Sequence, residues 1–168
     1  LKHDQSLTDA IYNDYAVNMP CNDVTEILRL VLDADDRLSE YSLTKLTCGG
    51  VLGKEALLKK WCGGLPAREI LATDIDAFCA KFPTDDAAVE FVRLKHLLAL
   101  QKGLSALLGD QSARPDDAIA IESIEHGPLG TQMIALIKVD AVTKEIQSCG
   151  RCVGCGTAKT PGHSIHAE

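Results

Sequence analysis

The sequence predicts an α+β fold, an antiparallel sheet with helices packed on one face, followed by a C-terminal two-strand extension. Three observations carry that expectation. Residues 25–32 and 38–47 are rich in branched side chains and flank Asp33-Ala34-Asp35-Asp36, a turn by composition, so they read as an antiparallel hairpin. Residues 85–108 place apolar side chains at helical spacing on two sides, as a helix covered on both sides would. After a polar connector at 111–117, residues 118–124 and 132–142 read as two further strands around a turn at Gly127-Pro128. The expected division is a first unit over 1–110 and an extension over 111–168.

Bulk properties narrow the function. The chain has 168 residues, enough for one domain or one with an appendage. Apolar residues make up 46% and aromatics only 4%, so Leu, Val, Ile and Ala must fill the core. A formal charge of −7 disfavours nucleic acid or an anionic membrane as the main partner. No apolar run approaches the ~20 residues of a membrane span. Seven unevenly spaced cysteines fit a reducing compartment, the cytoplasm, and metal or sulfur chemistry better than a disulfide framework.

The elements follow in order. Thr8 caps a short helix over 9–13, and Cys21-Asn22-Asp23 forms a turn before the first strand. The hairpin should return Cys48 to the neighbourhood of Cys21, because paired strands of similar length bring their outer ends together. Gly49-Gly50 follows, and an amphipathic helix is expected over 51–61, with Leu52, Leu57, Leu58 and Trp61 on its apolar face. Cys48 would then sit at a strand-to-helix turn, where the helix dipole favours thiolate. A short helix over 66–71 comes next, then one over 74–81 capped by Thr73. The long helix opens with Thr84 as its cap and stops near Gly109. One of its stripes is Ala87, Phe91, Leu94, Leu98 and Leu108. The other is Val89, Val92, Leu100 and Leu107, with His96 in its middle, so His96 should point into protein.

These residues also form a pattern. Tyr12-Asn13-Asp14-Tyr15 precedes Cys21-Asn22-Asp23-Val24. Then come Thr47-Cys48-Gly49-Gly50, Lys60-Trp61-Cys62-Gly63-Gly64 and, on the last helix, Arg93-Leu94-Lys95-His96. In this order and spacing, residues 9–108 resemble the NifU/IscU-type iron–sulfur cluster assembly scaffold. The resemblance implies a pocket of three cysteines and an aspartate that binds zinc, or receives sulfur from a cysteine desulfurase and builds a cluster with iron. It also implies apo-protein recipients and a possible homodimer. Carried over by position, the ligands are Cys21, Asp23 and Cys48. His96 stands where the third cysteine would be, and Lys95 where the adjacent histidine would be. Imidazole binds zinc and iron, so two thiolates, an imidazole and a carboxylate remain a usable set. Histidine cannot carry persulfide, however. The proline-containing chaperone segment is replaced by Phe91-Val92-Arg93-Leu94.

Beyond the resemblance, Cys149, Cys152 and Cys155 form a glycine-interleaved Cys-x-x-Cys-x-x-Cys run whose thiolates can wrap a metal or cluster. Cys62, Cys79, His163 and His166 are possible fourth ligands there, although Cys62 and Cys79 read better as core or surface thiols. Three functions follow: a scaffold or carrier for an iron–sulfur cluster, [2Fe–2S] above all; a zinc-holding sulfur acceptor or interaction protein; or a redox protein using the tail cysteines. No arrangement for hydrolytic chemistry is visible, and the chain reads as a non-enzyme.

Overall fold

A computed structural model describes residues 25–47, 50–109 and 118–148. The expected hairpin is present: β1 (Thr25–Leu32) pairs antiparallel with β2 (Leu38–Thr47), from Glu26 opposite Lys45 to Leu30 opposite Tyr41. Asp33 closes the turn, its Oδ1 accepting from the amides of Asp35 and Arg37.

The next element differs from expectation. Residues following Gly49 do not open a helix. They form β3 (Gly50–Glu55), an edge strand on β2 with Gly50 opposite Thr47. Helix begins only at α1 (Lys59–Cys62), a single turn. The run Gly-Val-Leu-Gly-Lys-Glu is too short for periodicity to separate strand from helix, and the free edge of β2 decides it. With no helix opening there, the dipole argument for the Cys48 thiolate falls.

Three helices follow: α2 (Ala67–Leu71), α3 (Ile75–Lys81) and α4 (Ala87–Leu108). Their caps lie slightly downstream of the expected ones. Asp74 caps α3 and Asp86 caps α4, each accepting from two first-turn amides. Carboxylates also complement the helix dipole, which the hydroxyls of Thr73 and Thr84 do not. Gly109, at φ 67°, ends α4 in the left-handed conformation that glycine takes without strain.

The last hairpin, β4 (Ile119–Gly127) and β5 (Gly130–Lys138), belongs to the same sheet as the first. β5 pairs along the whole of β1, from Thr25 opposite Lys138 to Leu32 opposite Thr131, giving the five-stranded antiparallel order β3-β2-β1-β5-β4. The two strands expected as an extension therefore complete the sheet, and β1, flanked on both sides, is its centre. The run 132–142 also divides. Its strand stops at Lys138 and α5 (Val139–Ser148) follows directly, burying Val142 and Ile146 in the main core.

That core lies on one face of the sheet. Leu28, Leu30, Leu32, Tyr41, Leu43, Met133, Ala135 and Ile137 meet residues of all five helices there. α4 crosses this face at Gly103, where an added Cβ would come within 2.5 Å of Leu28 Cδ2 and 2.8 Å of Leu30 Cδ1. Only glycine admits so close an approach of helix to sheet. On the other face Arg29 bonds Glu40 and Gln132, beside buried Ile27, Thr44 and Ile134. No described helix is long and apolar enough to cross a membrane.

Candidate metal centre at one end of the sheet

β1 begins and β2 ends at the same end of the sheet, because Glu26 pairs with Lys45. Cys21 and Asp23 precede Thr25 in the chain, and Cys48 follows Thr47; all three lie outside the described residues, as do Cys149, Cys152 and Cys155. Among the described residues, no group of three or more His, Cys, Asp or Glu side chains could hold a metal by itself.

His96 is described, and it points inward as expected, 5% exposed. Its Nδ1 lies 3.3 Å from the hydroxyl of Tyr41, and the two rings meet edge to face. The same hydroxyl accepts a hydrogen bond from the Leu58 amide at the start of α1. The contact between the ring and the hydroxyl runs in either direction: the phenolic oxygen can donate its proton to Nδ1, or accept from an Nδ1–H as well as from the Leu58 amide. Burial, then the neighbouring Lys95 charge, lowers the His96 pKa to about 4, so the ring is neutral at pH 7. Burial likewise raises the Tyr41 pKa far above its ordinary value.

Lys95, one step back along α4, turns the other way. Its Nζ lies 2.7 Å from Glu26 Oε1, with the lysine side chain 17% exposed and the glutamate 10%. α4 runs in the same sense as β1, since Lys95 meets Glu26 while Gly103 lies over Leu28 and Leu30. The helix residue directed at the end of the sheet is thus Lys95. Glu26 Oε2 is buried with no hydrogen-bond partner. An ionised oxygen left so is costly, and a buried carboxylate normally fills its lone pairs. The sequence held a signal for this pair. Glu26 breaks the apolar run of β1 on the side shared by Leu28, Leu30 and Leu32, and Lys95 stands among Leu94, Leu97 and Leu98 on α4. Two opposite charges forced inward on neighbouring elements are expected to meet.

Two other thiols and one other imidazole, Cys62, Cys79 and His126, are among the described residues. Cys62 is fully buried, donates to the Leu58 carbonyl, and has its pKa pushed up to about 11 by burial, which makes it an inert core thiol. Cys79 is half-buried on α3. His126 is exposed on β4 beside Thr131.

An oxygen-and-sulfur donor set suits the group the resemblance implies. Cys21, Asp23 and Cys48, outside the described residues, are of the softer and harder donor types that zinc and iron take. No protein-family model matches the chain, and searches of curated proteins and of solved structures also give no match.

Proposed function

We propose that this protein holds a metal or an iron–sulfur cluster as cargo, in the manner of a scaffold or carrier, at the end of the sheet where β1 starts and β2 stops. The observation that carries the reading is the Glu26–Lys45 pairing. Cys48 is three residues beyond Lys45, and Asp23 and Cys21 are three and five residues before Glu26. At about 3.8 Å between successive Cα atoms, these tethers keep the three side chains within roughly 10–20 Å of one strand pair. Tethers this short permit the three side chains to converge on one ion, whose donors must come within about 2–2.4 Å of it.

In this reading the ligands are Cys21, Asp23 and Cys48. His96 stays outside the set because its ring is buried and its Nδ1 is engaged with Tyr41. With no third cysteine to accept persulfide, holding and passing on a preformed cluster, or holding zinc, suits the donors better than building a cluster from desulfurase-derived sulfur. The test is anaerobic purification of the full chain with iron, zinc and acid-labile sulfide analysis. One metal site or one cluster per chain is expected, lost in Cys21→Ser and in Cys48→Ser. A metal content unchanged by both substitutions would remove the reading.

A further inference from the structure

We propose that β4 is a self-association surface, the edge along which two copies of this chain join their sheets. The surface does not depend on the carrier reading above.

β4 is nine residues long and ends the strand order, so its outer side has no strand partner among the described residues. An exposed edge of this length is a template for pairing with another chain unless something blocks it. β4 carries two glutamates and a bulge, and the bulge sets its side-chain pattern. Ile121 stands opposite Ala135, but Ser123 rather than Glu122 stands opposite Ile134, and Ile124 follows opposite Met133. Residues directly opposite each other in an antiparallel pair share a face. Ile119, Ile121 and Ile124 therefore all lie on the core face, with Ile137, Ala135 and Met133. Without the bulge, Ile121 and Ile124 would lie on opposite faces, being three residues apart. The packing that buries Met133 and Ala135 completely leaves Ile121 44% and Ile124 38% exposed. The apolar face thus runs out onto the edge strand.

This pattern is complementary to itself. Two β4 strands placed antiparallel about a two-fold axis between Glu122 and Ser123 set Ile121 of each copy opposite Ile124 of the other. Ile119 then meets His126, also on the core face, while Ala120 meets Glu125 and Glu122 meets Ser123. No glutamate stands directly opposite another, which would be unfavourable. Sliding one copy by a single residue sets Ile121 against Ser123 or Glu125, which face the other way. The bulge, a device that commonly guards an edge, here fixes one register. A two-fold contact of this kind closes on a dimer, because each copy uses the same patch.

The test is sedimentation velocity of the full chain across a wide concentration range. Reductant and chelator are present, so that neither a disulfide nor a shared metal joins the chains. A monomer–dimer equilibrium is expected. Ile121→Lys combined with Ile124→Lys should weaken it at least tenfold. Leu129→Lys should leave it unchanged, because Leu129, although 75% exposed, lies in the turn beyond the paired register. Mixing isotope-labelled and unlabelled chains should give NOEs between Ile121 of one copy and Ile124 of the other. Should the double variant fail to fold, these NOEs decide alone. A chain that stays monomeric throughout overturns the proposal. So does a dimer that the double variant leaves intact, that Leu129→Lys weakens equally, or that lacks the Ile121–Ile124 NOEs.

Discussion

Two polar contacts join α4 to the sheet, and they are built in opposite ways. The Tyr41–His96–Leu58 network is neutral, and its two bonds pair groups that would otherwise be buried without a partner. The Glu26–Lys95 contact, made from the neighbouring position on α4, is ionic and leaves one carboxylate oxygen without a partner. Neutral groups with shared protons can be enclosed at modest cost, because each hydrogen bond replaces one to water. Charges need more compensation than a single contact gives. The first arrangement is what a fold keeps for structure. The second leaves part of the desolvation cost of its carboxylate uncompensated.

Breaking the ionic contact should have the largest effect. Lys95→Met strands a buried carboxylate, and a loss of about 3–5 kcal/mol is expected in urea unfolding of metal-free protein. Glu26→Leu combined with Lys95→Met should recover most of it, since an apolar pair carries no desolvation deficit. A double variant as unstable as the single one would show that the ion pair itself, and not its incompleteness, matters.

Next in size is the pH dependence of the neutral network. The folded pKa of His96 is about 4, below its unfolded value near 6.5. The unfolded chain therefore binds the proton more readily. This contribution is fully present above pH 6.5 and is lost as pH falls towards 4, with no further change below. A separation of this size corresponds to about 3 kcal/mol. Subtracting the pH profile of His96→Phe from that of the wild type isolates the histidine from carboxylates titrating nearby. Lys95→Met should also raise the His96 pKa, because the Lys95 charge is the second cause of its depression. NMR titration of the ring reads that shift directly.

Tyr41→Phe should cost somewhat less, about 1–3 kcal/mol, by leaving the Leu58 amide and His96 Nδ1 without their shared partner. The smallest effect marks the baseline. Glu40 is 57% exposed, and Glu40→Gln, which removes its pair with Arg29, should change stability by less than about 1 kcal/mol. An exposed pair that mattered as much as Glu26–Lys95 would undo the contrast between the two contacts.

Much of the framework was legible in the residues. Alternation and turn chemistry located β1, β2 and the Asp33 turn, and helical spacing located α4 and turned His96 inward. Those signals are local: a period of two or 3.6 residues reads off one segment at a time. Val89 and Val92 show its limit. They lie on the predicted second stripe, yet they are 38% and 37% exposed, because no described element covers the first turns of α4 on that side.

Sequence alone determined which segments are apolar enough to pack and where the Asp33 turn and the end of α4 at Gly109 fall. Tertiary structure decided their neighbours. Residues 50–55 became a strand because β2 offered an unpaired edge, and β5 entered the sheet beside β1 because eight residues of backbone could pair there. Lys95 rather than His96 reached the end of the sheet because helix rotation is fixed by packing at Gly103, not by position in the sequence. Hydrogen-bond partners and the rotation of a packed helix are non-local quantities, set only when the segments meet.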